Sequence, residues 1–305
     1  MSELAAATVA LVTDSTASLP ASWAASSAVE VIPLHVVVGR TSMAEGVDIT
    51  GEQVATLLRE GTEEVTTSGP APGEFVEFYR DVARRRGVSH IVSVHLSGRI
   101  SRTVESAQLA AAAVCEEVVV TVVDSRTLGL AMGYAVCAAA RAAAAGETPA
   151  QVADVVKQWS SGCSAYFYVD TLEYLRRGGR IGKASALLGG ALAIKPLLTV
   201  ADGEVKPWER VRTRNKAMAR LQAQTVADIE EHRAVGRSVQ VGIHHCDASE
   251  RAEKFAEAVR ADVSGDRESV AGGCSVDVVD LGAVLAVHTG PGTLAVVICP
   301  GAQRD

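Results

Sequence analysis

The chain has 305 residues and a mass of 31.7 kDa, is 48% apolar, 21% charged and 4% aromatic, and carries a formal net charge of −7. That much apolar sequence excludes a disordered chain, and the length favours two domains. The acidic balance, with no basic run longer than Arg84 to Arg86, excludes a phosphate-backbone binder, whose affinity rests on clustered Lys and Arg.

In chain order, Thr8 to Val12 and Val29 to Val38 read as strands, as do His90 to Leu96 and Val118 to Val123, each a short β-branched run. Thr50 stands three residues before Gln53, a capping box, and the helix it opens stops at Gly61. Gly73 to Arg86 puts Phe75, Phe78, Tyr79, Val82 and Ala83 on one helical face and ends at Gly87. The Ala-rich stretches Ala110 to Ala113 and Ala138 to Ala145 are good helix. Strands alternating with helices imply a parallel sheet covered on both sides.

Thr148-Pro149 is an N-cap followed by proline at the first helical position, so a helix runs from there to about Trp159. The domain boundary is expected just after it, dividing the chain into 1–161 and 162–305. The second part reads as a strand at Cys163 to Val169, a helix from Asp170 and a Gly-rich basic turn. Leu197 to Val200 and Val205 to Trp208 then flank Asp202-Gly203, a two-residue hairpin signal that demands antiparallel pairing. Helices follow at Thr213 to about Ala234 and Asp247 to about Val263. Strands at Val239 to His244, Val276 to Leu281, Val284 to His288 and Leu294 to Ile298 complete the chain. The expected fold is α/β: an N-terminal parallel-sheet domain and a C-terminal α+β domain with a mixed or antiparallel sheet.

The six cysteines, Cys115, Cys137, Cys163, Cys246, Cys274 and Cys299, contain no CxxC pair and have no histidine at zinc-finger spacing. A reduced chain without disulfides or structural zinc is the expectation. Met1 to Val12 lacks a basic n-region and reads as a strand rather than a signal peptide. The longest apolar run, Leu128 to Ala140, is too short to span a bilayer. A soluble cytoplasmic protein follows.

Open α/β sheets bind ligands beyond the carboxyl ends of their strands, and the loops there are rich in hydroxyls. They are Thr13 to Thr16, Thr66 to Pro70, Ser97 to Thr103 and Asp124 to Thr127. Hydroxyls and unpaired amides at helix N-termini suit a carboxylate or phosphate, although each alone also reads as an N-cap. No serine sits in a G-x-S-x-G elbow, so a serine-dependent acyl hydrolase or transferase stands as the alternative reading only. Gly178 to Lys183 fails the Walker pattern at Arg177 and Ala184, and Gly290 to Ala295 precedes a strand where a dinucleotide motif needs a helix. His244 and His245 would point to opposite faces of a continuing strand, which does not suit a shared metal ion. His288 precedes a tight Gly-Pro-Gly turn and reads equally as a core or a site histidine. Arg177 and Arg180, on a Gly-bent turn, suit a carboxylate, a phosphate or an acidic partner.

These residues carry a pattern. Val12 to Thr16, Thr67-Ser68-Gly69-Pro70-Ala71-Pro72, Ser97 to Ala107, Val123 to Ser125, Leu175 to Ile181, Lys195 to Leu198, Val211 to Arg214 and His288 to Gly292 stand in one order. Together they resemble, nearly end to end, the DegV family, the fatty-acid-binding subunits of bacterial fatty-acid kinase.

The resemblance implies a non-catalytic lipid carrier with one long-chain fatty acid as ligand, no cofactor and no metal. The acyl chain would lie in an apolar tunnel completed by 162–305, with its carboxylate held near the domain interface by loops of 1–161. Thr67, Ser101 and Ser97 would hydrogen-bond the carboxylate, and Arg177 and His288 would form the surrounding network. Arg180 and Arg212 would face a separate ATP-dependent kinase that makes an acyl phosphate for phospholipid synthesis. No nucleic-acid partner is implied, and transient contact with a membrane surface is compatible with this role. The chain departs from the family pattern at Arg99 and Arg102, where glycines flank the serine, and at Gly69, which replaces a glutamine. Arg102 would either meet the carboxylate or point to solvent.

Overall fold

The computed structural model describes residues 9–187, 195–263 and 273–303. Thr8, the expected start of the first strand, lies outside them. The elements in order are β1 (Val9–Asp14), α1 (Ala21–Ser26), β2 (Val29–Ile32), β3 (His35–Val38), β4 (Thr41–Ala44), α2 (Gly51–Glu60), β5 (Val65–Ser68), α3 (Pro72–Arg86), β6 (His90–His95), α4 (Thr103–Ala113), β7 (Val119–Asp124), α5 (Leu130–Ala144) and α6 (Pro149–Gly162). They continue with β8 (Ser164–Tyr168), α7 (Glu173–Arg177), β9 (Lys195–Ala201), β10 (Glu204–Val211), α8 (Arg214–Ala234), β11 (Arg237–His245), α9 (Ser249–Val263), β12 (Cys274–Asp280), α10 (Ala283–Thr289) and β13 (Leu294–Gln303). Among the described residues no helix is long and apolar enough to cross a membrane.

The chain forms two compact units, one of residues up to His35 with Ser68–Ser161, the other of Val36–Thr67 with the residues from Gly162 on. A single cut after 161 therefore does not describe it. Residues 36–67 belong with the second unit because α2 packs on α10 and the Glu45 carboxylate accepts the Val284 N–H at 2.8 Å.

The first unit is built on a four-stranded, wholly parallel sheet in the order β2-β1-β6-β7. Ala10 and Val12 of β1 and Ile91 of β6 pack with Phe75, Tyr79 and Val82 of α3 and with Ala107 and Ala110 of α4. The other face of β1 takes α5, whose residues from Leu130 to Ala140 are all buried. Burial on both faces explains why these strands read as continuous apolar runs. The helix ends follow their local chemistry. Thr50 and Gln53 form the capping box of α2, and Gly61 and Gly87 close α2 and α3 in the left-handed region.

The second unit holds a six-stranded mixed sheet in the order β10-β9-β8-β13-β11-β12, parallel only between β11 and β12. Leu221 and Ile229 of α8 and Phe255 and Val259 of α9 pack with Val241 and Ile243 of β11 and Val296 of β13 to form its core. Asp202 and Gly203 turn the β9-β10 hairpin with φ of 56° and 79°, a type I′ geometry. A smaller sheet, β4-β3-β5, comes from the strands between His35 and Ser68.

Three expectations need correction. The run Val29 to Val38 is two strands in different sheets, because Pro33 has no N–H to continue the ladder. Val284 to His288 is helix and not strand. Ala283 to Val287 are all buried, so the run carries no period to tell the two apart, and Gly282 and Gly290 bound a single short helix. Cys163 and Cys299 are paired as a disulfide. They lie 136 residues apart in sequence, but the β8-β13 register, with Ser164 opposite Ile298, makes them cross-strand neighbours with Cα atoms 4.3 Å apart. Sequence spacing could not show that proximity.

Candidate anion-binding site

At the carboxyl edge of the parallel sheet the hydroxyl-rich loops are tied to one another. Asp124, at the end of β7, accepts the Gly98 and Arg126 N–H groups at 3.1 and 2.8 Å. The Ser97 N–H donates to the Thr127 carbonyl at 2.9 Å. Ser97 is buried, its Oγ accepts the Arg99 N–H, and its carbonyl accepts the N–H groups of Ile100 and Ser101. Ser101 is half-buried at the start of α4, where its Oγ lies 2.8 Å from Thr103 Oγ1 and accepts the Thr103 N–H. A half-buried hydroxyl at a helix N-terminus is a fitting place for a negative charge. Arg99 and Arg102 are both exposed. A side chain at position 69 would press on Thr103 Oγ1 at 2.9 Å, so the glycine there is matched to this threonine.

Sequence reasoning missed the feature beneath these loops. Asp14 Oδ2 accepts from His95 Nδ1 and from the Leu96 N–H, both at 3.0 Å, while Asp14 Oδ1 accepts from the Thr16 N–H and hydroxyl at 3.0 and 2.5 Å. His95 Nε2 lies 2.7 Å from Ser93 Oγ, which accepts from Tyr79 OH at 2.8 Å. The signal was present, since Ser93 and His95 alternate on one face of an apolar strand paired in parallel with β1. This is a Ser–His–Asp chain, yet Ser93, His95 and Asp14 all have 0% exposure, so no ester can reach the serine.

The second unit holds a polar cluster of its own. Thr67 Oγ1, on β5, lies 2.8 Å from His288 Nε2, on α10. Burial, and then the charge of Arg180, push the His288 imidazole down to about 4, which keeps it neutral near pH 7. A Cβ at position 178 would overlap the imidazole, and a Cβ at position 290, where φ is 78°, would overlap the Tyr174 ring. The two glycines let α7 and the end of α10 approach closely.

Arg180 Nη1 donates to the Gly178 carbonyl at 2.6 Å. Arg177, expected beside His288, is exposed on α7, and its Nε donates to Glu173 at 2.7 Å. Thr67 and His288 are thus brought together, while Arg177 pairs with Glu173. Arg212 is exposed between β10 and α8.

Other pieces of the pattern meet at Asp170, just beyond β8. Its carboxylate takes Arg214 Nη2 at 2.8 and 3.0 Å and Tyr168 OH at 2.5 Å, with Lys195 Nζ 3.7 Å away. A Cβ at position 292 would overlap it. Lys195, Arg214 and Gly292 therefore have a structural reading as one cluster. A cleft of about 750 Å³ opens past β11 and β12, lined by His245, Asp247, Asp280, Glu250, Arg251 and Lys254. It is too charged for an acyl chain. His244, the neighbour of His245, is instead buried, as opposite-face alternation requires.

Comparison with known proteins agrees with this architecture. The sequence model of the DegV family of uncharacterised proteins matches residues 8–301. A DegV domain-containing protein of Streptomyces coelicolor is 43% identical over 290 residues, covering 95% of this chain and 98% of that one. The structure of a fatty-acid-binding DegV family protein from Thermus thermophilus matches with a TM-score of 0.83 at 33% identity, over 96% of this chain and 99% of that one. DegV of Bacillus subtilis, described as a fatty acid binding protein, matches with a TM-score of 0.81 at 29% identity, with the same coverage. A stearic-acid-binding protein from Eubacterium ventriosum matches with a TM-score of 0.81 at 25% identity, over 95% and 97%. The chain belongs to the DegV family.

Proposed function

We propose that this chain is a cytoplasmic fatty-acid-binding protein that holds one acyl chain in an apolar tunnel and presents the carboxylate to a separate ATP-dependent kinase. The observation that carries the reading is the near full-length likeness to DegV proteins solved as fatty-acid binders. The hydroxyl-lined loops support it. Ser101, Ser97 and Thr67 are assigned to the carboxylate, His288 to the polarity around Thr67, and Arg180 and Arg212 to the kinase. Arg177, whose guanidinium pairs with Glu173, is assigned with His288 to the network around the headgroup.

The energetics suit a carrier. Burying about 15 methylenes at about 0.8 kcal/mol each gives roughly 12 kcal/mol of gross transfer energy, so the headgroup contributes orientation more than affinity. Hydroxyl donors hold a carboxylate without neutralising it, which leaves an oxygen free to attack the terminal phosphate of ATP. The hydrolase alternative gains nothing from the buried serine at position 93.

Native and denaturing mass spectra of the purified protein, with gas chromatography of its organic extract, test the reading. The expected result is a mass excess that disappears on denaturation and matches a free fatty acid. An apo mass that stays unshifted after incubation with stearate would overturn it. Ser101→Ala should then impair phosphorylation by the kinase more than lipid retention, and equal loss of both would refute the headgroup assignment.

A further inference from the structure

Three consecutive residues, the last of β1 and the two that follow it, hold the loops at the ends of all the other parallel strands of the first unit. Ser15 Oγ accepts the Leu34 N–H beyond β2 at 2.9 Å, Asp14 Oδ2 accepts the Leu96 N–H beyond β6 at 3.0 Å, and the Thr16 carbonyl accepts the Gly129 N–H beyond β7 at 2.8 Å. Asp14 also closes the tripeptide on itself through the N–H and hydroxyl of Thr16.

We propose that Asp14 is the positioning residue of the Ser97–Ser101 turn, and that Asp14-Ser15-Thr16 is the hub that fixes the hydroxyl loops of the first unit. The proposal rests on the reading that this turn meets a carboxylate. Both Asp14 oxygens are filled by donors, so the side chain has no capacity left for a ligand and acts only through the loops. As an acceptor throughout, it requires the proton of His95 on Nδ1. The chain then runs one way, Tyr79 OH to Ser93 Oγ, Ser93 to His95 Nε2, and His95 Nδ1–H to Asp14. Leu96 lies one residue past the end of β6, so the carboxylate supplies the acceptor for its amide where the strand gives out. Ser97 follows, and its carbonyl closes the turn by accepting from Ile100 and Ser101. A shift at Leu96 therefore passes along hydrogen bonds to Ser101.

The test uses the full chain, amide hydrogen exchange read by mass spectrometry, and stearate as the binding probe. In the wild type, the amides of Thr16 and Leu96 should exchange as slowly as those of β6 although both lie outside a strand. Asp14→Asn keeps the size but turns one acceptor into a donor. It should speed exchange in peptides spanning 96–103 by about tenfold or more, with the β6 peptide changed much less, while stearate retention, which rests on the acyl chain, falls by less than about threefold. Ser93→Ala cuts the chain on the far side of His95 and should leave both readouts within about threefold of wild type even where it lowers the melting temperature. Equal effects of the two variants on loop exchange, or a loop in Asp14→Asn that exchanges as in the wild type, would overturn the proposal. Should Asp14→Asn not fold, the wild type decides: fast exchange at Leu96 and Thr16 refutes the hub, and protection equal to β6 supports it. Failure of the wild type to bind stearate would overturn the functional reading instead, and the exchange comparison would still decide the role of Asp14.

Discussion

Asp14 and Asp170 each stand at the carboxyl end of a strand, one in each unit, and they are satisfied in opposite ways. Asp14 has 0% exposure and is met by two amides, a hydroxyl and an imidazole. The Asp170 side chain is 29% exposed and is met by a tyrosine hydroxyl, an arginine and a lysine. The difference follows from desolvation. In the dry interior of the first unit a long cationic side chain would lose its hydration, so short dipolar donors do the work. Near the surface a guanidinium keeps part of its water, and one nitrogen of Arg214 reaches both carboxylate oxygens. Burial alone would raise the Asp170 carboxyl, but the hydrogen bonds from Tyr168 and Arg214 outweigh it and hold it below the usual range.

Removing each carboxylate is the most direct way to break this comparison. Asp14→Ala leaves two amides, a hydroxyl and an imidazole facing a dry gap and should cost about 3–5 kcal/mol. Asp170→Ala lets Arg214 and Lys195 turn to water and should cost only about 1–2 kcal/mol. Urea unfolding of the two variants measures the difference, and equal losses would show that depth does not govern the cost.

The same contrast marks what the sequence discloses. Helix ends such as Thr50 with Gln53, and the Asp202-Gly203 turn, are local chemistry and can be read directly. The mixed sheet follows from that hairpin together with strands that alternate with helices. Val284 to His288 could not be read, because the helix is buried all round and its capping acceptor, Glu45, lies 239 residues away in sequence. At the candidate site, Ser97, Ser101 and Thr67 were visible in hydroxyl loops and His288 as an open case beside its Gly-Pro-Gly turn, but the Thr67–His288 pairing was not, since the two are 221 residues apart. Asp14 was legible as a motif residue but not as a hub, since its partner Leu96 is 82 residues distant. Arg177 read as a ligand-binding cation from its glycine-bent turn, and the structure adds its pairing with Glu173, four residues earlier.

The disulfide sharpens the contrast further, since it belongs to the second unit alone. It closes a long loop and joins β8 to β13 in the middle of the mixed sheet, so reducing it should cost about 2–4 kcal/mol. A reductant should lower the urea midpoint of the wild type and leave a Cys163→Ala, Cys299→Ala double variant unmoved. A wild-type midpoint insensitive to reductant would show that the two sulfurs are not bonded in solution.

The effect with the clearest sign is the response to acid. His244 and His288 both lie in the second unit, and burial is the first cause of lowering each, to about 3 and about 4. Both are therefore neutral in the fold at pH 6, while in the unfolded chain they begin to protonate near their ordinary value of about 6.5. The unfolded state then binds more protons, so stability falls with pH from about 6.5 downward. Each histidine contributes at most about 1.4 kcal/mol per pH unit until its folded value is reached. Asp170 and Glu173, held below the carboxylate range, add their losses only below about pH 5, which leaves the interval from pH 6.5 to 5 to the histidines. His288→Gln should make the slope in that interval shallower by about one proton. Arg180→Ala should do so by less, because it removes only the neighbouring charge and leaves the burial, and a slope unchanged by either would place His288 in a wetter setting than its contacts indicate.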